Sequence, residues 1–243
     1  MGHASFLCLV TRIEHLPPPP DVPVRSPAVV VPGEVEARIP GRAGGPSIAA
    51  RVCVPPSAVR AVVVCHPHPL YGGSMHSPVP LSIARCLADE AGGRVAWARF
   101  DFRGVGDSEG TYDDGRGEVD DTLAVIDELH RRAPGLRLSA CGHSFGSWVA
   151  LQTARRDPDV ERVLLLAPSV RFRSGGKGRA HVPTTIFLGD HDEYCDVEEG
   201  RALADELGAD LRIFEGFDHH FLKSRRAMAR AALPVIAPEV VSP

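Results

Sequence analysis

The sequence has no excess of positive charge and no apolar run long enough to cross a membrane. Its formal net charge is −4 over 243 residues, so it lacks the basic surface with which proteins bind nucleic acid. The apolar run at residues 6–10 follows no basic segment and is too short for the core of a signal peptide. We therefore expect neither nucleic acid nor a membrane among its partners.

Closely spaced cysteine pairs are also missing, although the chain has six cysteines. They lie far apart and form no C-x-x-C motif of the kind used in zinc and redox sites. Cys53, Cys65 and Cys141 fall within apolar runs, where a free thiol behaves as a small buried hydrophobe. The expectation is a chain of reduced cysteines in the cytoplasm, because disulfides are rare in that compartment.

No internal repeat, long linker or second hydrophobic core divides the sequence. Residues 1–33 contain seven prolines, a density that favours an extended arm over a helix or a central strand. An apolar content of 44% with 24% charged residues is ordinary for a folded domain. The sequence thus predicts a proline-rich arm at 1–33, one domain at 34–237 and a short tail at 238–243.

Runs with strand character alternate along the domain with runs of helical character. Residues 35–40 and 47–54 flank a glycine-rich turn and predict an antiparallel hairpin, and residues 60–66 hold five consecutive apolar residues, as in a strand covered on both faces. Further strands are expected at 95–100, 138–141, 162–166, 184–188 and 211–214, and helices near 80–90, 117–132, 144–155, 197–207 and 220–233. This alternation predicts an α/β fold with a mostly parallel sheet and helices on both faces.

The clearest functional motif is Gly142-His143-Ser144-Phe145-Gly146, which lies between a predicted strand and a predicted helix. A G-x-S-x-G motif in this setting is typical of a nucleophile elbow, in which the serine occupies a sharp, strained turn. The turn places Ser144 at the helix N-terminus, where free N–H groups favour a developing oxyanion. Ser144 is therefore the candidate nucleophile, with a plain strand–helix turn as the alternative.

Acidic residues and histidines follow two later strands, in the order in which a serine hydrolase carries them. Asp190 and Asp192 come after one predicted strand, and His219 and His220 come after the next. The ends of parallel strands meet at one edge of a sheet, so these side chains are expected near Ser144. An imidazole can take the serine proton, and a carboxylate can fix the imidazole tautomer and stabilise its charged form.

Five segments together resemble the small, lidless α/β-hydrolases, many of which are known only as predicted hydrolases. They are CHPHPLYGGSM at 65–75, RFDFRGVGDSEG at 99–110, the elbow, GDHD at 189–192 and GFDHHF at 216–221, within a resemblance over roughly residues 35–235. The resemblance implies Ser144 as nucleophile, Asp192 as acid and His219 as base. The family carries one histidine at the last position, whereas this chain has two, so His220 remains an alternative base.

The same resemblance implies an oxyanion hole. The family's loop after the third strand maps to the His-Pro-His segment at 66–68. Because proline has no N–H group, the expected backbone donor is His68 or, failing that, Leu70 or Tyr71. The N–H group of Phe145 is the expected second donor, and the phenol of Tyr71 could add another, as in hydrolases of the prolyl-oligopeptidase type. We expect the two histidine rings to hold the loop and to transfer no proton.

Two sets of residues offer alternative interpretations as cofactor sites. Residues 104–110 resemble a dinucleotide-binding loop, but the third glycine is displaced by one position from G-x-G-x-x-G, and two carboxylates would crowd a pyrophosphate. A zinc site could be built from imidazoles and a carboxylate, although no H-E-x-x-H or related motif supports one. Its candidate ligands would be His66, His68, His191, Asp192 and His219. The sequence predicts neither a metal nor a cofactor.

Residues 167–182 occupy the position at which lidded hydrolases insert a cap, and they are too few to form a separate cap domain. The segment is basic, which would attract an anionic substrate such as an acyl carrier group unless the charges are simply solvated. Its basic residues are Arg171, Arg173, Lys177 and Arg179.

The predicted activity is hydrolysis of carboxylic esters or thioesters by a Ser-His-Asp triad through an acyl-enzyme. A peptidase or an acyltransferase would use the same groups. A non-catalytic scaffold that binds partners, through the proline-rich arm for example, is the alternative from another class. A small-molecule substrate and a monomeric or homodimeric protein are expected.

Overall fold

The computed structural model of the protein describes residues 29–170 and 178–241. Its centre is an eight-stranded sheet in the order β1-β2-β4-β3-β5-β6-β7-β8. β2 runs antiparallel to the other seven strands, which are parallel to one another. The strands are β1 Val35–Ile39, β2 Ile48–Cys53, β3 Arg60–Cys65, β4 Val95–Phe100, β5 Arg137–His143, β6 Val160–Leu166, β7 Thr184–Gly189 and β8 Asp210–Phe214. The predicted hairpin and mostly parallel sheet are confirmed.

Helices cover both faces of this sheet, as predicted. They are α1 Pro78–Glu90, α2 Arg116–Arg132, α3 Phe145–Arg156, α4 Val197–Leu207, α5 Arg225–Ile236 and α6 Pro238–Val241. Apolar side chains of α2, α3 and α4 form one core with the sheet, and those of α1 and α5 form the other. Because strand side chains alternate between faces, Val63 joins the first core while Val62 and Val64 join the second. A strand covered in this way is apolar wherever its side chains meet the helices, which explains the unbroken apolar run that follows Arg60 in β3.

The strand order brings the loops with functional motifs to one edge of the sheet. After β3 the chain moves outward to β4 and then returns past β3 to β5, so the order reverses beside β3. Ligands of open α/β sheets bind in the crevice outside the carboxyl ends of the strands at such a reversal. The loops after β3, β5, β7 and β8 all lie at these carboxyl ends.

One predicted helix begins later than expected. The sequence predicted a helix over 220–233, but α5 starts at Arg225, where the side chain of Ser224 caps it by accepting the N–H of Ala227 at 3.1 Å. The residues before it form a turn in which Phe221 has a positive φ of 52°. A helix cannot pass through that backbone conformation, so His220 lies in a loop.

Both ends of the described chain are fastened to the sheet by ion pairs. Glu34 binds the buried Arg99 of β4, and Glu239 of α6 binds the buried Arg60 of β3. The predicted division into arm, domain and tail stays a prediction, and nearly all of the arm lies outside the described residues. The same holds for Arg171, Arg173 and Lys177 of the predicted basic segment. No helix in the described part of the chain is long and apolar enough to span a bilayer.

Candidate active site

Ser144 lies in a strained turn between β5 and α3. Its backbone has φ 55° and ψ −116°, a conformation that a residue with a side chain rarely adopts. The Ser144 N–H group donates to the carbonyl of Leu166 at the end of β6 (2.9 Å), which holds the turn against the sheet edge. The side chain sits at the N-terminus of α3, where the first N–H groups of the helix have no intrahelical acceptor.

Two glycines allow this turn to close. A Cβ atom on Gly142 would overlap the backbone of Gly146, and one on Gly146 would overlap the backbone carbonyls of Cys65 and His66. The strand, the turn and the helix therefore lie closer together than an alanine at either position would permit. This is the local reason why the sequence has glycine on both sides of Ser144.

The first prediction concerns stability at this contact. Gly142→Ala is expected to lower the free energy of unfolding by about 3 kcal/mol or more, because rigid backbone atoms must move apart. Gly135→Ala is the control: unlike Gly142, Gly135 has a positive φ (80°), but an added Cβ would meet nothing within 4 Å, so only the backbone cost of about 1–2 kcal/mol is expected there. Equal losses for the two variants in urea unfolding would contradict the close-contact explanation.

Asp192 and His219 form a buried pair at the same sheet edge. The Nδ1 atom of His219 lies 3.0 Å from Oδ2 and 3.1 Å from Oδ1 of Asp192. The side chain of His219 is 5% exposed and that of Asp192 is 0% exposed. Oδ1 of Asp192 also accepts the N–H groups of Tyr194 (2.8 Å) and Cys195 (3.1 Å). The carboxylate is thus fixed by its own loop, and in turn it fixes the proton of the imidazole on Nδ1, which leaves Nε2 as the basic nitrogen.

The other two candidates from the sequence are not joined to this pair by a side-chain hydrogen bond. Asp190 is exposed and accepts the N–H group of Gly216 at 2.6 Å, so it closes a turn. His220 is exposed as well, and its carbonyl accepts a hydrogen bond from Arg225. Its ring lies 5.2 Å from that of His219. Among these four residues, the structure therefore brings together Asp192 and His219.

His143 is a residue whose part in the site the sequence analysis missed. Its Nε2 atom donates to the backbone carbonyl of His219 at 2.9 Å, and its ring lies 5.0 Å from the His219 ring. Burial places the pKa of His143 well below its usual range, so this ring is neutral. The bond ties the His219 loop to the residue that precedes Ser144. No hydrogen bond joins the Ser144 hydroxyl directly to the His219 ring among the described residues, and such bonds often tighten only with substrate in place.

The rings of His66 and His68 are occupied by structural hydrogen bonds. Nε2 of His66 accepts the N–H group of Phe102 (3.0 Å), and Nδ1 of His68 accepts that of Leu70 (3.2 Å). The remaining nitrogen of His68 therefore carries a proton and faces the Tyr112 hydroxyl at 3.2 Å. Burial lowers the pKa of His66 to about 3 and that of His68 to about 4. Both rings are neutral near pH 7.

The loop after β3 lies against the start of α3. The ring of His68 is 4.8 Å from that of Phe145, and Tyr71 meets the His68 ring edge-on, also at 4.8 Å. Tyr71 is about half exposed (51%), at the end of a single helical turn over Pro69–Tyr71. The three residues named for the oxyanion hole, His68, Tyr71 and Phe145, thus cluster beside Ser144.

The two alternative cofactor sites find no support in the geometry. No group of three or more His, Cys, Asp or Glu side chains among the residues the structure describes is arranged to hold a metal ion. The glycine-rich segment at 104–110 does not open a helix: the N–H group of Gly104 bonds to the carbonyl of Glu109, and Glu109 pairs with the backbone of Ser47. This loop is closed by its own contacts and by those with the neighbouring hairpin.

Comparison with known proteins points to one family. The family model described as serine aminopeptidase, S33, matches residues 57–177. Over 188 residues the chain is 31% identical to an uncharacterized protein of Rickettsia prowazekii, a match that covers 72% of this chain and 77% of the relative. The match to the family model includes Ser144 and ends before Asp192 and His219.

Solved structures agree with this assignment. An α/β serine hydrolase without a lid from Xanthomonas campestris has a TM-score of 0.74 at 25% identity, over 89% of this chain and 99% of that one. An α/β serine hydrolase homologue from Coxiella burnetii has a TM-score of 0.70 at 25% identity, over 84% of this chain and 97% of that one. The chain therefore belongs to the α/β-hydrolase superfamily and has the fold of its serine hydrolases without a lid.

Proposed function

We propose that the protein is a serine hydrolase that cleaves carboxylic esters or thioesters through an acyl-enzyme. The observation that carries the proposal is the buried pair of Asp192 and His219, 3.0 Å apart at the sheet edge that holds the strained Ser144 turn. Each of the three residues has the chemistry that its role needs. Burial of the pair also shields it from solvent, which strengthens the interaction between the carboxylate and a charged imidazole.

In the proposed reaction, Ser144 Oγ attacks the carbonyl carbon of the substrate while Nε2 of His219 takes the hydroxyl proton. The carbonyl oxygen becomes an oxyanion in the tetrahedral intermediate. The bond to the leaving group then breaks as His219 returns the proton to the departing alcohol or thiol. Water adds to the acyl-enzyme by the same steps, which releases the acid and restores Ser144.

The oxyanion is proposed to lie between the loop after β3 and the first turn of α3. The N–H group of Phe145 heads α3 and has no intrahelical acceptor, so it can point at the developing charge. The second proposed donor is the backbone of His68, whose ring packs on Phe145. The Tyr71 phenol is a further candidate on the exposed side of this cluster.

The test is labelling with a fluorophosphonate probe, read by mass spectrometry, followed by turnover of a panel of activated esters, thioesters and aminoacyl anilides. We expect an adduct on Ser144 and turnover of the esters and thioesters. A peptidase is the second candidate, because the matching family model is described as a serine aminopeptidase; turnover of anilides alone would support it. A folded protein with no adduct and no turnover would favour a non-catalytic scaffold.

The second prediction concerns the orienting carboxylate. Asp192→Asn is expected to lower kcat by about 10⁴-fold, because an amide can favour the wrong tautomer of His219 and cannot stabilise its charged form. Asp190→Asn is the matched control in the same loop, since Asp190 is exposed and only closes a turn with Gly216. The measurement is steady-state kinetics on a p-nitrophenyl ester. A larger loss of kcat in Asp190→Asn than in Asp192→Asn would assign the acid to Asp190 instead.

The predicted partners and location are part of this proposal. A site built from one nucleophile, one base and backbone donors suits a small-molecule acyl compound, without a cofactor. A cytoplasmic protein, monomeric or homodimeric, remains the expectation from the sequence, and the five described cysteines are buried and free of disulfides.

A further inference from the structure

The loop over residues 66–77 carries the proposed oxyanion donor His68 and is fastened near its far end to the end of β4. We infer that Asp101 and Arg99 act as positioning residues, which clamp the peptide groups of Met75 and so set the position of this loop for catalysis. The inference rests on the proposed function, because the position of the loop affects a rate only if the loop belongs to a catalytic site.

Both polar backbone groups of Met75 are bonded by this clamp, the side chains of Asp101 and Arg99. The N–H group of Met75 donates to Oδ1 of Asp101 at 2.7 Å, and Nη1 of Arg99 donates to the Met75 carbonyl at 2.9 Å. Arg99 lies in β4 and Asp101 directly follows the strand, with its N–H group still bonded to the Ala49 carbonyl of β2. Two positions apart along this extended chain, their side chains leave the same face of the sheet. The acidic side chain thus fixes the N–H group of Met75, and the basic side chain fixes its carbonyl group.

Short bonds connect the clamped residue to His68. The N–H group of Gly73 donates to the carbonyl of His68 at 3.1 Å, and only Ser74 separates Gly73 from Met75. Ser74 is itself tied by its N–H group to the Ser77 hydroxyl at 3.0 Å. A displacement of Met75 would therefore move the backbone of His68. For an oxyanion donor, a misplacement of about 1 Å can cost about 100-fold in rate.

Arg99 is held by partners of its own. Its side chain is fully buried and forms an ion pair with Glu34 (2.6 Å and 2.7 Å), while Nη2 also donates to the Val29 carbonyl at 2.5 Å. Glu34 accepts a further bond from the indole of Trp97 at 3.1 Å. The guanidinium is therefore rigid, and its charge is largely balanced by Glu34.

Asp101 is buried with less compensation. It is 3% exposed, and burial raises its pKa to about 6, although the Met75 N–H bond and the charge of Arg99 act in the opposite direction. The other charged group that acts on it, Asp107, raises the pKa further. Because the folded protein holds this proton more tightly than the unfolded chain does, ionisation of Asp101 lowers the free energy of unfolding as pH rises from about 4 to about 6, and the loss is constant above that pH. Ionised Asp101 therefore lowers stability and accepts one backbone N–H group, that of Met75. Its presence is better explained by the position it gives to Met75 than by a contribution to stability.

The experiment compares Asp101→Ala, Asp101→Asn and the wild type by kcat per active site, with sites counted by fluorophosphonate adduct on Ser144. Asp101→Ala is expected to lower kcat on a p-nitrophenyl ester by about tenfold or more, with KM changed by less than about threefold, since only transition-state binding is lost. Asp101→Asn keeps an oxygen acceptor for the Met75 N–H group and is expected to restore kcat to within about threefold of wild type. If Asp101→Ala does not fold, Asp101→Ser replaces it, because the serine side chain is too short for its hydroxyl to reach the Met75 N–H group.

Asp121→Ala is the control for the loss of a buried carboxylate. Asp121 is 1% exposed, accepts the N–H group of Arg103 at 2.9 Å and pairs with its guanidinium, but it lies on α2 and holds a different loop. It is expected to lower stability and to leave kcat per labelled site within about twofold. An unchanged kcat per labelled site in Asp101→Ala, or equal losses in Asp101→Asn and Asp101→Ala, would overturn the inference. Absence of the adduct in the wild type would instead overturn the proposed function, and the inference with it.

Discussion

Ser144→Ala is expected to abolish ester hydrolysis, with kcat reduced by about 10⁶-fold. The expectation follows from the proposed covalent step, because alanine has no oxygen to form the acyl-enzyme. Removal of the serine or of the histidine of a triad costs about as much as removal of all three members. The turn itself should survive, since serine and alanine occupy the same strained backbone region at comparable cost. The measurement is turnover of a p-nitrophenyl ester together with fluorophosphonate labelling.

A second serine at the same end of α3 provides the control. Ser147 is fully buried, and its hydroxyl donates to the carbonyls of Gly142 (2.8 Å) and Leu166 (3.1 Å), so it is held away from any reaction. Ser147→Ala is expected to lose about 1–3 kcal/mol of stability and to keep its fluorophosphonate adduct on Ser144. Labelling that persists in Ser144→Ala, or that disappears in folded Ser147→Ala, would remove Ser144 from the role of nucleophile.

His219→Ala is expected to lower kcat by a similar factor of about 10⁶, and His220→Ala by less than about fivefold. Of these two histidines, His219 is the one with a carboxylate partner within hydrogen-bonding distance, at 3.0 Å. His220 is exposed, and burial of part of its ring together with the neighbouring His219 lowers its pKa. A base without an orienting carboxylate would be neither fixed in tautomer nor stabilised when charged.

The two histidine variants form a matched pair on adjacent residues. Both remove an imidazole from the same loop, so any general effect on the loop should appear in both. Kinetics with active-site counting and circular dichroism separate chemistry from folding. The opposite order of effects, with His220→Ala the inactive variant, would move the base to His220 and require the loop to rearrange in solution.

The environment of His219 suits a group that becomes charged during turnover. The neighbouring His143 ring, 5.0 Å away, is kept neutral by burial, so it does not repel an imidazolium. Its hydrogen bond to the His219 carbonyl also ties the proposed base to the end of β5, directly before Ser144. His143, the residue before the proposed nucleophile, would therefore contribute to the site without a change in its own protonation state.

Much of the fold could be predicted from the sequence because burial on both sheet faces demands continuous apolar runs. The strand at Val95–Phe100 and the helix at Val197–Leu207 have the predicted limits. The last large helix was placed five residues too early because its apolar pattern extends into the preceding loop. What stops it there is the positive φ of Phe221 and the cap at Ser224, which periodicity does not reveal.

The candidate site was predictable in outline for a related reason. Parallel strands bring their carboxyl ends to one edge, so the order of the chain alone places Ser144, the aspartates and the histidines in neighbouring loops. The contacts of His143 and of the clamp around Met75 were not predictable, because they join residues 76 and 26 positions apart in the chain.

The sequence by itself thus determined the fold class, the strained turn at Ser144 and the edge of the sheet where an active site would form, because those depend on local backbone demands and on strand order. Only the tertiary structure decided between Asp190 and Asp192 and between His219 and His220 as the contacting pair. The two candidates of each pair are the same type of residue and lie only one or two positions apart in the chain. Which of them turns inward depends on loop geometry, where Asp192 is turned inward by the N–H groups of Tyr194 and Cys195 and His219 is held by the ring of His143.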